Sequence, residues 1–155
     1  MQTIKVAKLS EEAKLPTRKH PQDAGLDFYS VAAMTIPAHS HAIVPTGITI
    51  EIESGFVGLL KPKGASNHLL GAGVVDAGYQ GEILIKVVNP SSNELIINKG
   101  DAIGQMLILP ILTPAVEEIN LAEIHHSQTQ RSDGGGIVSQ YQTTSPSKKN
   151  EDGIL

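Results

Sequence analysis

Apolar and polar residues alternate strictly over Gly47-Ile48-Thr49-Ile50-Glu51-Ile52-Glu53. In an extended chain the isoleucines of this segment lie on one face, and the threonine and glutamates lie on the other. This period of two predicts a β-strand that buries one face and exposes the opposite face to solvent.

Short apolar runs further along the chain continue the pattern. They cover residues 82–88, 95–97 and 106–109 and are separated by glycine, proline and asparagine, as strands joined by turns are. The run over 82–88 is nearly continuous, which predicts a strand covered on both faces. About ten such strands, with almost no helical period, predict an all-β jelly roll or distorted β-barrel with a flexible C-terminal arm. Only 10–15 and 66–70 are candidates for a helical turn.

The composition limits the classes of protein that fit. With 155 residues, 40% of them hydrophobic, the chain can form one domain with a real core, and the absence of cysteine excludes disulfides and thiolate metal sites. The formal net charge is −4 and no basic patch is visible, so we expect no nucleic-acid partner. No apolar run is long enough for a membrane span and no signal pattern begins the chain, so we expect no membrane association and a cytoplasmic location.

The chain changes character near Arg131. Gly134-Gly135-Gly136 is followed by polar residues, and 145–155 is rich in Pro, Lys, Asn, Glu and Asp. Such a segment has little apolar content with which to fold alone. We therefore predict a β domain over 1–130 and a mobile C-terminal arm and tail over 131–155.

The most specific functional segment is Gly73-Val74-Val75-Asp76-Ala77-Gly78-Tyr79-Gln80-Gly81-Glu82-Ile83. Strand residues enter a turn and leave as another strand, which predicts a hairpin. Backbone groups at the mouth of such a hairpin can hydrogen-bond a flat heterocycle. Asp76 could then orient a water, and Tyr79 offers an aromatic face for a sugar. An ordinary hairpin, in which aspartate and glycine serve only turn geometry, explains the same residues.

This segment resembles the third of five motifs of the deoxyuridine triphosphatase family, and segments similar to the other four occur along the chain in the order of the family. They are residues 21–28, which contain an Ala-Gly-apolar-Asp sequence, 61–66, 100–106 and 131–136. Five ordered segments are far harder to produce by chance than one. The resemblance covers nearly the whole chain to about residue 140.

Two segments depart from the family pattern. The second motif of the family reads Pro-Arg-Ser-Gly, whereas here Lys63 replaces the arginine and Gly64 replaces the serine, unless a shift brings Ser66 into place. In the fifth motif an aromatic residue normally follows the paired glycines and stacks on the base. Here Gly136 and then Ile137 follow.

The resemblance implies an enzyme that cleaves dUTP to dUMP and pyrophosphate when a water attacks the α-phosphorus. It implies a homotrimer, in which three subunits share each site, and Mg²⁺ held by the substrate phosphates and by waters near Asp27, without direct protein ligands. The catalytic residues it implies are Asp76, which orients or deprotonates the attacking water, and Asp27, which assists the metal-bound waters. The substrate-binding residues it implies are Gly73, Val75, Tyr79, Gln105, Lys63, Ser66, Arg131 and Gly135.

Plainer explanations and rival functions stay open. A turn aspartate, a core tyrosine and a solvated tail arginine account for Asp76, Tyr79 and Arg131 without catalysis. The altered second and fifth motifs favour a catalytically weak or non-catalytic nucleotide-binding or regulatory protein on the same fold. A dCTP deaminase is a further rival, but the catalytic glutamate of that family is matched here by Lys86.

Overall fold

A computed structural model describes residues 3–71 and 73–124 of the chain. Arg131, Gly135 and the predicted arm over 131–155 lie outside the described residues. Within the described ranges the chain forms eleven strands and one short 3-10 helix, which confirms the predicted all-β class. The strands are β1 (Lys5–Lys8), β2 (Leu26–Tyr29), β3 (Met34–Ile36), β4 (His41–Pro45), β5 (Ile48–Glu51), β6 (Phe56–Lys61), β7 (Leu69–Leu70), β8 (Gly73–Val75), β9 (Leu84–Val88), β10 (Leu95–Ile97) and β11 (Ala102–Pro110).

The strands form four antiparallel sheets around one hydrophobic core. The largest has the order β2-β11-β6-β8, the next has the order β4-β9-β7, and two-stranded sheets pair β1 with β5 and β10 with β3. Phe28 and Met106 from the first sheet and Ile85 and Val87 from the second belong to the same core cluster and are each at most 1% exposed. Both larger sheets therefore bury one face in a shared core.

The alternation over 47–53 is confirmed in β5 and the residues that follow it. Ile48, Ile50 and Ile52 are 1%, 3% and 2% exposed, whereas Glu51 is exposed. Burial of an isoleucine side chain stabilises a fold by about 1.5–3 kcal/mol, so this single face makes a substantial contribution.

The prediction that the strand over 82–88 is covered on both faces is wrong for the described chain. Ile85 and Val87 are buried, but Leu84 is 49% exposed and Lys86 is exposed. The reason is that β9 is the central strand of a sheet with one face on the core and one face open. The candidate helical turn over 66–70 is also wrong, because its last two residues form β7 and pair with β9.

Tertiary contacts divide the chain into two compact units, one ending at Pro114 and the other beginning at Ala115. In the second unit the described residues include the 3-10 helix Leu121–Glu123. None of the helices in the described ranges has the length and apolar character needed to cross a membrane. The predicted boundary at residue 130 stays a prediction.

Candidate active site

The predicted hairpin over 73–83 forms a loop whose two arms belong to different sheets. β8 is the edge strand of the four-stranded sheet and pairs with β6, whereas β9 lies in the three-stranded sheet. The arms therefore share no strand ladder, which corrects the expectation of a simple paired hairpin. Because β8 has a neighbour on one side only, backbone groups on its other edge remain available to a ligand.

A small cavity of about 190 Å³ lies between the splayed arms, and we call it the hairpin slot. Its lining residues are mainly glycine and aliphatic residues, with one glutamate and one tyrosine. The lining residues are Leu60, Gly73, Val74, Val75, Tyr79, Glu82, Ile83 and Leu84. The structure thus brings together Gly73, Val75 and Tyr79, three of the predicted substrate-binding residues, around a slot that has room for one planar ring.

Close packing explains why glycine stands at the base of the slot. A Cβ added at Gly73 would lie 2.8 Å from Leu60 Cδ1 and 3.0 Å from Leu60 Cβ, which is too close for a real contact. A side chain at this position would push β8 away from β6 and change the width of the slot.

Asp76 begins the turn at the end of β8. The Tyr79 backbone N–H donates to the Asp76 carbonyl over 3.0 Å, which closes the turn. Val75, which lines the slot, is buried, whereas the next residue, Asp76, is exposed to solvent. The geometry therefore allows this group to meet a ligand held between the arms.

Tyr79 is a loop aromatic, and the alternative of a core residue is wrong. It is 44% exposed, and its hydroxyl donates to the Glu82 carbonyl over 2.7 Å. A Cβ at Gly81 would lie 2.6 Å from the Tyr79 hydroxyl oxygen, so glycine is needed for the ring to fold back over the loop. The Glu82 carboxylate in turn accepts from the Gly47 N–H over 2.7 Å. Glu82, which the motif search did not single out, thus anchors the tyrosine.

A second cavity of about 320 Å³, which we call the Asp27 cleft, brings together the first, second and fourth predicted motifs. Charged and polar side chains make up about half of its lining. The lining residues are Lys19, Asp23, Ala24, Gly25, Asp27, Lys63, Gly64, Ala65 and Gln105. Three predicted site residues, Asp27, Lys63 and Gln105, therefore share one cleft although they are far apart in sequence.

Gln105 is fixed between the first and second motifs. It lies opposite Asp27 in the β11–β2 ladder and opposite Lys61 in the β11–β6 ladder. Its side-chain Nε2 donates to the Pro62 carbonyl over 3.1 Å. A Cβ at Gly25 would lie 2.1 Å from Gln105 Oε1, so the glycine of the Ala-Gly-apolar-Asp sequence makes room for this carboxamide.

Asp27 is held by its backbone on both sides. On one side it pairs with Gln105, and on the other it exchanges two hydrogen bonds with Thr17. The Asp27 N–H donates to the Thr17 carbonyl over 2.7 Å, and the Thr17 N–H donates to the Asp27 carbonyl over 3.2 Å. Its side-chain Oδ2 forms an ion pair with Lys63 Nζ. The two side chains are only 15% and 30% exposed, respectively.

Ser66, the other candidate of the second motif, faces a different cavity of about 330 Å³. That cavity is lined by the 63–68 loop together with residues of β10 and the start of β11. His68 Nε2–H donates to the Ile103 carbonyl over 2.9 Å within this region. The structure thus does not bring Ser66 together with Asp27 and Gln105, and a phosphate-binding role for Ser66 stays a prediction.

Asp27 and Asp76 lie far apart in one chain. Gly58 of β6 is opposite both Val75 and Ile108, so Asp76, one residue further along, is level with Leu109 of β11. Asp27 is level with Gln105, four residues earlier on the same strand. With three strand spacings across the sheet, the Cα atoms of the two residues are about 14 Å apart in one direction and about 13 Å apart in the other, or about 20 Å overall. No single phosphate group can contact both.

The Asp27 cleft fits Mg²⁺ that arrives with a ligand. Carboxylate and carboxamide oxygens are hard donors of the kind that Mg²⁺ prefers, and Mg²⁺ commonly keeps several waters while binding one or two carboxylates and phosphates. In residues 3–71 and 73–124, no group of three or more His, Cys, Asp and Glu side chains is arranged to hold a metal. The donor set therefore suits an outer-sphere site and does not form a protein cage.

Lys19 is a cleft residue that the motif search missed. It lies in the loop before the first motif, and the backbone pairing of Thr17 with Asp27 places this loop beside the cleft. In the sequence, a lysine a few residues before a motif does not by itself indicate a binding residue. The pairing of Thr17 with an edge strand is a tertiary contact, and this contact makes Lys19 a lining residue.

The chain is similar in sequence to proteins of one family. The sequence profile of the dUTPase family matches residues 11–139. A deoxyuridine 5'-triphosphate nucleotidohydrolase of Candida albicans is 38% identical over 138 residues, which cover 86% of this chain and 86% of that protein. The protein of the same name from Arabidopsis thaliana is 37% identical over 136 residues, covering 85% of this chain and 80% of that protein.

Solved structures of phage dUTPases are similar in fold. A variant of the dUTPase of phage phi11 of S. aureus, described for its structural Mg(II) ion, has a TM-score of 0.71 at 27% identity and covers 76% of this chain and 97% of that chain. The Staphylococcus bacteriophage 80alpha dUTPase with dUpNHpp has a TM-score of 0.76 at 26% identity and covers 84% and 94%. These similarities confirm the predicted jelly-roll β fold.

Proposed function

This chain belongs to the dUTPase family and hydrolyses dUTP, and we propose that it releases dUMP and pyrophosphate by attack of a water on the α-phosphorus, with Mg²⁺ as cofactor. A bond forms between the water oxygen and the α-phosphorus, and the bond from the α-phosphorus to the bridging oxygen of the β-phosphate breaks. The proton of the water goes to a protein base. The observation that best supports this assignment is an exposed carboxylate, Asp76, which directly follows Val75, a lining residue of the hairpin slot.

The hairpin slot binds the uracil and the deoxyribose. Backbone groups of Gly73 and Val75 on the free edge of β8 hydrogen-bond the base, and Tyr79 packs under the sugar, leaving no space for a 2′ hydroxyl. Asp76 contacts the deoxyribose 3′ hydroxyl, orients the attacking water and accepts its proton. The hydrogen bond from the Tyr79 N–H to the Asp76 carbonyl supports this role, because it fixes the backbone of Asp76 relative to Tyr79, whose ring packs under the sugar.

The Asp27 cleft binds the triphosphate. Lys63 and Gln105 contact phosphate oxygens, and Asp27 holds the waters of Mg²⁺. When bound, Mg²⁺ neutralises the negative charge that spreads over the phosphate oxygens during the reaction. The shared cleft supports these roles because it places a cation, an amide and a carboxylate around one open volume.

The complete site forms between subunits of a homotrimer. The separation of about 20 Å between Asp27 and Asp76 supports this, since the α-phosphate must meet both half-sites at once. The hairpin slot of one chain then lies against the Asp27 cleft of a neighbour. The arm over 131–155 of a third chain closes the site, with Arg131 on the terminal phosphate and Gly135 near the base. The exposed Leu84 of β9 is a candidate for the interface.

Two alternatives are separated by specific features. A non-catalytic nucleotide-binding protein is favoured by Gly64 and Gly136, which replace the phosphate serine and the stacking aromatic of the family pattern. Deamination of dCTP is disfavoured because Lys86 stands where the catalytic glutamate would be. The Lys86 stem lies close to Gly71, where an added Cβ would be 3.0 Å from Lys86 Cδ. A cytoplasmic location, and the absence of nucleic-acid and membrane partners, remain predictions of the sequence.

The test is release of pyrophosphate from dUTP, dCTP, dTTP and UTP, each with Mg²⁺ and with EDTA. We expect rapid release from dUTP with Mg²⁺, little from the other nucleotides and almost none in EDTA. Ammonia release from dCTP is measured in parallel. No pyrophosphate from any nucleotide would favour the binding protein, and equal rates with dUTP and dCTP would disprove base selectivity by the hairpin slot.

A further inference from the structure

The ion pair between Lys63 and Asp27 differs from the other ion pairs of the described chain. The side chains of Lys5 and Glu51 are 80% and 63% exposed, and those of Lys99 and Glu12 are 48% and 64% exposed. At such sites solvent screens the attraction and a pair contributes little. Asp27 and Lys63 are 15% and 30% exposed, so solvent screens their charges less than those of the other two pairs.

The two partners of this pair differ in freedom. Asp27 is fixed by backbone pairing with both Gln105 and Thr17. Lys63 lies beyond the end of β6, in a turn in which its carbonyl accepts from the Ser66 N–H over 3.0 Å. The carboxylate is therefore a fixed point, whereas the ammonium sits on a flexible four-carbon stem and can move to another anion.

Space for such an anion lies directly beside Lys63. A Cβ added at Gly64 would have no heavy atom within 4 Å, and Gly64 lines the same cleft. The ionisable lining residues are Lys19, Lys63, Asp23 and Asp27, so their formal charges cancel. While Lys63 stays on Asp27, the cleft therefore offers a polyanion no net positive charge. When the ammonium turns toward an entering phosphate, its three N–H donors can bridge carboxylate and phosphate.

We propose that Lys63 is a built-in cation of the Asp27 cleft, which lets the chain bind a nucleoside triphosphate without divalent metal and which the waters of Mg²⁺ must displace from Asp27. This inference rests on the proposed binding of the triphosphate in the cleft. It adds a metal-independent anion site, with Lys63 as its ligand and Asp27 as the anion that competes with the phosphate for the Lys63 ammonium.

The experiment measures binding of the imido analogue dUpNHpp by calorimetry, in EDTA and in Mg²⁺, with the full chain. In EDTA we expect Lys63→Met to weaken binding by about tenfold or more, because one charge-assisted hydrogen bond is lost, and Lys63→Arg to retain most of it. Asp27→Asn should bind the analogue more tightly in EDTA, since the ammonium is released. Lys99→Met, which removes another ion-paired lysine, is the matched control and should change nothing.

Manganese supplies a second readout. Titration of Mn²⁺ followed by electron paramagnetic resonance, with saturating dUpNHpp, should show tighter Mn²⁺ binding by Lys63→Met than by wild type, because the ammonium no longer competes for Asp27. Equal Mn²⁺ affinities of Lys63→Met and wild type would show that Lys63 does not compete with the metal for Asp27. If Lys63→Met does not fold, as judged by thermal unfolding, Lys63→Gln replaces it, with the same expected result in EDTA.

The outcomes separate this inference from the proposed function. If wild type releases pyrophosphate from dUTP but Lys63→Met binds dUpNHpp in EDTA as well as wild type does, the built-in cation is wrong and the function stands. If wild type hydrolyses no nucleotide yet shows Lys63-dependent binding in EDTA, the function is wrong and the built-in cation stands.

Discussion

Asp27 and Asp76 lie at opposite edges of one four-stranded sheet, Asp27 on β2 and Asp76 directly after β8. The strand spacings put about 20 Å between them. Both carboxylates are assigned to the same phosphoryl-transfer reaction, in which the reacting atoms must come within about 3–3.5 Å of each other. We therefore expect a site that uses both to take them from different copies of the chain.

Complementation between inactive variants tests this arrangement. Asp27→Asn and Asp76→Asn should each be inactive alone, but chains mixed, unfolded and refolded together should regain activity. When the two variants are mixed in equal amounts, random assembly puts an intact Asp27 beside an intact Asp76 in roughly a quarter of the shared sites. We therefore expect about that fraction of the wild-type rate. Pyrophosphate release is the measurement. A site contained in one chain gives no recovery at any mixing ratio.

Asp76→Asn should lower kcat more than ~10²-fold, as expected when a positioned general base is removed. The change keeps the size of the side chain, and Asp76 is exposed, so the thermal unfolding midpoint should stay close to that of wild type. Glu53→Gln, at another exposed carboxylate, is the control and should retain full activity. An Asp76→Asn enzyme of near-normal rate would remove this residue from the mechanism.

The sequence was sufficient where a local pattern carries the structural information. The alternation in β5 reports burial directly, because each isoleucine side chain points to the face its position dictates. The apolar run over 82–88 misled because it cannot show which neighbours cover Leu84, and the described chain leaves that residue half exposed. Likewise, the sequence predicted two strands around Asp76 but not that they join different sheets.

Contacts within the candidate site were beyond the sequence because they link distant positions. Lys63 and Asp27 are 36 residues apart, and neither a lysine nor an aspartate specifies its partner. The packing of Gln105 against Gly25 is similar, since a glycine in a motif is equally consistent with a turn. The roles that the five motifs predict for these residues stay predictions, whereas the sheet order determines which of the residues share a cleft.

Gly25→Ala should weaken binding of the triphosphate with little change to the hairpin slot. The added methyl group would lie only 2.1 Å from Gln105 Oε1, which is too close for a contact. The carboxamide must therefore leave its place beside Pro62 and Asp27. We expect the KM for dUTP to rise by about tenfold, the effect of losing one hydrogen bond to a charged group. Ser92→Ala, at an exposed loop residue that lines neither the Asp27 cleft nor the hairpin slot, is the control. Equal KM values for the two variants would show that Gln105 does not need its present position.

Tyr79→Phe should relax discrimination between dUTP and UTP. The hydroxyl donates to the Glu82 carbonyl over 2.7 Å and holds the ring over the loop, where it is assigned to exclude a 2′ hydroxyl. Its loss removes a hydrogen bond with a net contribution of about 0.5–1.5 kcal/mol, so the ratio of kcat/KM for dUTP to that for UTP should fall by roughly two- to tenfold. Tyr79→Ala removes the platform itself and should lower the ratio further. If both variants keep the wild-type ratio while dUTP turnover falls, Tyr79 supports the loop but does not read the sugar, and discrimination must come from the backbone of β8.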